Sequence, residues 1–301
     1  MPLPPEASSD GGMTRSASAI TVLGASGRTG AALCRALLAR GDSVIPVVRN
    51  PARWAARGIP LEPRLAEIGD HKALARALEG AERIVSTAHA RWAAAIQRAA
   101  PPGATLVLIG STRRFSRWPD AHGDGVRAGE AAFLSGPQPG VMLHPTMIYG
   151  AQGENNVQRL AALLRRLPVA PLPGGGRALV QPIYQDDLTA CLLAALDRDW
   201  PTPRTLVVAG PEPVAYRDFL AAVAHAAGRR APPVLPMPLA PLVLLGRVAA
   251  LVPGLPRIGP DELRRLTEDK AFDIAEMRAT LGVSPRSLAE GLAETFAHAT
   301  G

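Results

Sequence analysis

Short apolar runs alternate with helical stretches along the first half of the chain. Residues 19–23, 43–48, 61–66, 83–87, 104–109 and 140–143 carry the apolar residues of buried strands. Between them, 31–40, 72–78 and 91–99 hold good helix formers, and Leu33, Leu37 and Leu38 share one face of the first. Pro101 and Pro102 stop the third helix. This alternation predicts an α/β fold, a doubly wound parallel sheet with helices over both faces. Farther on the pattern turns helical: 215–227, an apolar stretch 238–252 flanked by prolines, then 261–267, 274–281 and 287–297. The expected organisation is a disordered tail over 1–18 and a core over 19–150. Residues 151–301 complete that core and form a smaller C-terminal substrate lobe.

The first strand runs into Gly24-Ala25-Ser26-Gly27-Arg28-Thr29-Gly30 and then a helix. Strand, glycine turn and helix in that order make a phosphate site. The backbone must approach a pyrophosphate where a Cβ would collide, and the helix N-terminus aims free N–H groups at the anion. A dinucleotide is therefore expected across this Rossmann turn, with Gly24, Ser26, Gly27, Arg28, Thr29 and Gly30 on its pyrophosphate side. In an NAD site an acidic residue at the end of the second strand accepts from the ribose hydroxyls. Here that place is Arg49, with Arg53 beyond it. A guanidinium there can pair bidentately with a 2′-phosphate, so NADP(H) is expected in preference to NAD. Asp70, Thr87, Ala88 and Ser111 follow later strands and are expected to line the same cofactor. His89 stands next to them as a polar candidate.

A formal charge of +7 would by itself suggest a nucleic-acid partner. Yet only Lys72 and Lys270 are lysines among 33 basic residues, the arginines are scattered among alanines, and aromatics are 4%. That composition offers no designed patch and no stacking platform, so no nucleic acid is expected. Cys34 and Cys191 fall in separate helices without metal-ligand spacing. They read as small buried residues of a reducing, cytoplasmic setting, and no metal is expected. The block 234–256 is broken by Pro236, Pro238, Pro241, Pro253 and Pro256 and holds Arg247. It is not expected to span a membrane.

The Gly24-x-x-Gly27-x-x-Gly30 spacing, Gly110-Ser111-Thr112, His144-Pro-Thr-Met-Ile-Tyr-Gly150 and Val180-Gln-Pro-Ile-Tyr-Gln-Asp-Asp-Leu188 occur in that order. Together they resemble the extended and atypical short-chain dehydrogenase/reductases, a group that includes nucleotide-sugar epimerases and NmrA-like proteins. The resemblance covers residues 19–195. It implies a Ser, a Tyr and a Lys in catalysis, the last two four residues apart on one helix face, where the ammonium lowers the phenol's pKa. Ser111 matches the serine. The tyrosines are Tyr149, Tyr184 and Tyr216, and neither lysine follows any of them by four residues. The matching helix, read as starting near Gly125, sets Arg127 at the lysine position and Gly123 at the tyrosine position. Arg127 would then hold the nicotinamide ribose without exchanging a proton at neutral pH. His122, His144 and Tyr149 remain as proton donors, with His144 and Tyr149 in the loop that shapes the nicotinamide end in relatives.

Arg113, Arg114 and Arg117, with Trp118, hint at an acidic ligand or protein surface, or form a solvated loop. Gly174-Gly175-Gly176-Arg177 reads as a lip over a substrate phosphate or as a hairpin loop. Two function classes follow. One is an NADP(H)-binding oxidoreductase or epimerase-like enzyme, acting on a small molecule without the usual Tyr–Lys pair. The other is a non-catalytic NADPH-binding sensor or assembly subunit. The Pro- and Leu-rich C-terminal third resembles, in that second class, the accessory nucleotide-binding subunit of respiratory complex I.

Overall fold

The computed structural model of the chain describes residues 18–118, 120–150, 156–249 and 259–297. Most of the expected tail and the end of the apolar block at 250–258 lie outside the described residues. Seven parallel strands form one sheet: β1 (Ile20–Leu23), β2 (Val44–Val48), β3 (Arg64–Leu65), β4 (Arg83–Ser86), β5 (Thr105–Ile109), β6 (Gly140–Pro145) and β7 (Pro203–Val208). Their spatial order is β7-β6-β5-β4-β1-β2-β3. Helices α1 (Arg28–Arg40), α2 (Pro51–Ala55), α3 (His71–Ala77), α4 (Ala93–Ala99) and α5 (Ala121–Leu134) connect the first six strands.

Alternation along each strand sends successive side chains to opposite faces. Val22, Val85, Val107 and Val141 join Leu33 and Leu37 of α1 in one core. Leu23, Ile84, Leu106 and Met142 join Leu74, Ile96 and Phe133 in the other. Cys34 and Cys191 are buried in the first core, where desolvation pushes both thiols up to about 12.

Several boundaries differ from the sequence expectation. The third strand shrinks to two residues, because Pro60 and Pro63 have no N–H for the ladder. Helix α5 starts at Ala121, a turn before Gly125: the Asp120 carboxylate accepts the Gly123 N–H at 2.7 Å and caps it. His122 is thus a helix residue. Strand β6 runs through His144 to Pro145, and β7 pairs with it along its full length, Val208 opposite Pro145. On either side of Pro182 lie two short strands, Leu179–Val180, antiparallel to Val214–Ala215, and Ile183–Tyr184, parallel to Ile148–Tyr149.

Farther along come α6 (Asn156–Leu164), α7 (Gln185–Leu196), α8 (Tyr216–Ala226), α9 (Leu239–Ala249), α10 (Pro260–Arg265), α11 (Ala275–Leu281) and α12 (Leu288–Ala297). Leu188 and Leu192 of α7 and Met277 of α11 return to the sheet and complete its first core. Helices α6, α8 and α12 close a separate core on Tyr149, Tyr184, Phe219 and Leu292. Among the described residues no helix is long and apolar enough to cross a membrane.

Candidate dinucleotide site

Strand order reverses between β1 and β4, and in open α/β sheets such a switch point opens a crevice at the carboxyl ends of the strands. Thr87, just after β4, stitches that crevice together. Its N–H donates to the Leu23 carbonyl at 3.0 Å, and its Oγ1 lies 3.1 Å from Leu23 O and 3.2 Å from Gly24 O. Gly24 has φ +76°, and a Cβ on Gly30 would lie 2.4 Å from the Gly24 carbonyl oxygen. Both positions therefore require glycine. Arg57 Nε donates to Ser26 O at 3.0 Å and fixes the outer side of the turn. Gly27 caps α1 without any side-chain bond, which leaves the first N–H groups of the helix for an anion.

Two cavities, of about 280 and 440 Å³, share Gly27, Arg53, Thr87 and Ala88 and form one trough over this turn. Ile68 and Trp92 provide apolar wall at one end, with Arg49 and Glu67 at its rim. Arg49 lies 3.5 Å from Glu67, both well exposed. Cations gather here: the Arg57 guanidinium is held below its ordinary range by burial and then by Arg53, Arg35 and Arg28.

His89, Gly110, His122, Val126 and Ile148 close the other end. His122 and Val126 are i and i+4 on α5, so the helix face turned to the trough is theirs. Gly123 and Arg127 are one residue out of phase. A Cβ on Gly123 would point at the Arg113 carbonyl oxygen, 3.0 Å away. The Arg127 guanidinium donates to Arg114 O at 2.9 Å and pairs with Asp124. The sequence expectation had set Gly123 and Arg127, one position along, on this face. His89 and His122 meet edge to face with ring centroids 4.4 Å apart. Burial, then His122 and nearby arginines, hold His89 below the ordinary imidazole range; burial and Arg113 do the same for His122.

Gly24, Ser26, Gly27, Arg28, Thr29, Gly30, Arg49, Thr87 and Ala88 are brought together along the trough. Four other candidates stand elsewhere. Asp70 caps α3, accepting the Lys72 and Ala73 N–H groups, because an Asp ahead of a helix start satisfies those donors. Ser111 lies between Gly110 of the trough and Thr112 of a smaller neighbouring cavity, and its Oγ accepts the Arg113 N–H. His144 is buried beneath Ser111: its Nδ1 accepts the Ser111 N–H at 3.1 Å, and burial pushes it down to about 4. Its Nε2 lies 3.5 Å from the buried Glu130 carboxylate, which also pairs with Arg114. Tyr149 is sealed in the lobe core against Tyr184 and Gly291, and burial raises its phenol above the ordinary range. Neither ring reaches the trough, so neither supplies a proton there. Gly175 packs against Pro236 and Gly176 against Leu172 and Arg217, while Gly174 faces open space. Among the described residues no group of His, Cys, Asp and Glu could hold a metal.

Val126 and Trp92 were missed in the sequence, although Val126 follows His122 by four and signals a shared face.

A dinucleotide fits what is present: a cradle that added Cβ atoms would fill, an uncapped helix start and a trough continued on both sides. The trough has the layout of a dinucleotide site on a Rossmann fold. Residues 24–112 match the family model of NAD(P)H-binding proteins. Several solved structures share the fold over nearly their whole length. The NADPH-dependent quinone oxidoreductase of Escherichia coli, complexed with NADPH, aligns with a TM-score of 0.73 at 19% identity, over 92% of this chain and 99% of that one. The UDP-glucuronic acid 4-epimerase of Bacillus cereus, with UDP-glucuronic acid and NAD, gives 0.69 at 16% identity, over 94% and 99%. A short-chain dehydrogenase/reductase superfamily protein of Agrobacterium tumefaciens with bound NAD gives 0.67 at 16%, over 94% and 97%. The chain shares the Rossmann-like α/β fold of these proteins. A curated relative, sterol demethylase protein B of Methylococcus capsulatus, is 43% identical over 68 residues, which span 22% of this chain and only 21% of that protein.

Proposed function

We propose that the chain is an NADP(H)-dependent oxidoreductase of a small substrate, with His122, beside His89, as its proton-handling group. The observation that carries this reading is the pair His122 and Val126 at i and i+4 on the trough face of α5. That spacing is the one a Tyr–Lys pair would need, and here its first position holds an imidazole. Arg49 and Arg53, with Arg28 nearby, would hold a 2′-phosphate; Gly27, Arg28 and Thr29 would hold the pyrophosphate through the start of α1.

The bound nicotinamide would exchange a hydride with a substrate carbon. His122 would give the matching proton to the carbonyl oxygen in reduction, or take it from the hydroxyl in oxidation. Held below the ordinary imidazole range, it is neutral at pH 7 and ready as the base. His89 Nδ1 accepts the Arg91 N–H at 3.1 Å, which sets its ring proton on Nε2. The name of the quinone-reducing neighbour supports redox chemistry with NADPH on this fold.

Nucleotide-stripped protein titrated with NADPH and NADH, followed by absorbance of the reduced nicotinamide on adding carbonyls and quinones, tests the reading. Saturable NADPH binding with oxidation is expected. Tight NADPH binding with no oxidation over the panel would favour the non-catalytic class, and no binding of either nucleotide would overturn the site.

A further inference from the structure

Beside the trough, on the far side of Ser111, a cavity of about 180 Å³ opens between the turn 112–117 and the segment 265–272. Four cationic side chains line it: Arg113, Arg117, Arg265 and Lys270. Three carboxylates face them. Asp120 takes Arg113 and Arg265; Glu268 is bound by the Ser116 hydroxyl and the Arg117 N–H; Asp269 accepts the Leu179 N–H. One positive charge is left over. It falls at Lys270, whose Nζ donates to a backbone carbonyl, that of Arg265, at 2.8 Å and makes no ion pair among the described residues. Arg113 Nε is a second donor, buried and without a partner among the described residues. Phe115 and Phe272, tilted at a centroid distance of 5.6 Å, form an apolar wall on the same cavity.

The walls are fixed before any ligand arrives. Lys270 N–H donates to Leu179 O at 2.8 Å, and Phe272 N–H to Gln181 Oε1 at 2.8 Å, so 270–272 is tied to the strand Leu179–Val180 and its neighbour. Burial, with Arg265 and Arg113 nearby and Glu268 in opposition, holds the Lys270 ammonium below its ordinary range. An anion there would relieve that repulsion.

We infer that this cavity is a subsite for a monoanionic carboxylate with an apolar body, the carboxylate on Lys270 and Arg113 and the body along Phe115 and Phe272. One residual positive charge matches one carboxylate and leaves one negative charge of a phosphate dianion uncompensated. The inference rests on the proposed oxidoreductase reading for its use, since Thr112 of this cavity and Gly110 of the trough are two residues apart.

The test is calorimetric titration of stripped and NADPH-loaded protein with benzoate and with benzamide, its neutral counterpart. Benzoate is expected to bind roughly ten- to a hundredfold more tightly than benzamide, the worth of one charge-assisted pair. Lys270→Met is expected to abolish that preference while NADPH affinity is kept. Phe115→Ala, at the exposed rim, is expected to weaken benzoate and serves if Lys270→Met does not fold. Equal binding of the two probes, no binding of benzoate, or benzoate affinity untouched by both variants would overturn the subsite. Benzoate binding without NADPH binding would instead overturn the dinucleotide reading and leave the subsite standing.

Discussion

The imidazoles of His89 and His122 meet edge to face, with centroids 4.4 Å apart and an interplanar angle of 75°. Two rings this close share one proton more readily than they hold two. Arg91 and Arg113 act on both rings; at His122 Arg265 adds to them and Asp120 opposes. Replacing His122 by Gln removes one source of the depression, so the His89 titration midpoint is expected to rise toward 6.5 without reaching it, because burial remains. Nitrogen-detected NMR of the two rings reads this directly, and an unmoved midpoint would mean that the rings do not share a field.

Turnover provides a separate measure of the same pair. If His122 handles the proton, His122→Gln is expected to lower kcat by about 10²–10⁴ while the NADPH dissociation constant stays put. In the oxidative direction the wild-type rate should fall with acid, with its inflection below the ordinary imidazole value, where the depressed base takes up its proton. The variant should lack that inflection. A variant that keeps wild-type kcat and the same pH profile would remove His122 from the chemistry.

Arg49 and Arg53 divide the adenosine end unequally. Arg49 is already beside Glu67 and is 74% exposed, whereas Arg53 lines both halves of the trough. Arg53→Ala is expected to weaken NADPH roughly tenfold with little change for NADH, and Arg49→Asp to act in the same direction. Equal losses for the two nucleotides would deny these arginines the 2′-phosphate.

What could be read from sequence was local. The glycine turn and the strand ends at Thr87 and Gly110 are set by residues adjacent in the chain, and the structure brings them together along one trough. Helix α5 was misjudged because Gly123 and Gly125 are poor helix formers, while the cap that overrides them is one residue, Asp120. Separately, the match of Arg127 to the lysine position set Gly123 and Arg127 toward the cofactor, where His122 and Val126 line the trough. Tyr149 was set at the nicotinamide end and Lys270 was given no role, because Gly291 and the turn 112–117, which decide their surroundings, lie more than a hundred residues away in sequence. Strand β7 was likewise missed: its short apolar run becomes a strand by pairing with β6.

Gly30→Ala tests the glycine turn. The new methyl would lie 2.4 Å from Gly24 O and 2.8 Å from Thr87 Oγ1, so β1, α1 and the end of β4 must all shift. Chemical denaturation is expected to show a loss of about 1–3 kcal/mol, together with loss of nucleotide binding. Gly27→Ala, whose methyl would meet only Gly24 O at 3.0 Å, should cost less. Gly30→Ala with wild-type stability would contradict this packing.

His144 gives the fold a pH dependence. Its Nδ1 accepts the Ser111 N–H, so the neutral ring carries its proton on Nε2, toward Glu130. Burial, and then the Arg114 charge, lowers it from 6.5 to about 4, so between those values the unfolded chain binds a proton that the folded chain does not. Its contribution is fully present above 6.5 and is lost as pH falls toward 4, by at most about 3 kcal/mol. Glu130 works in the opposite sense. Burial raises it despite Arg114, so the folded chain takes up its proton first and gains stability as pH falls. The net loss in wild type is therefore smaller than the His144 share. His144→Gln keeps an acceptor for the Ser111 N–H and removes the titrating ring. Its unfolding free energy, measured by urea across this window, should fall less steeply with acid than that of wild type. An equally steep fall would assign the acid sensitivity to other groups.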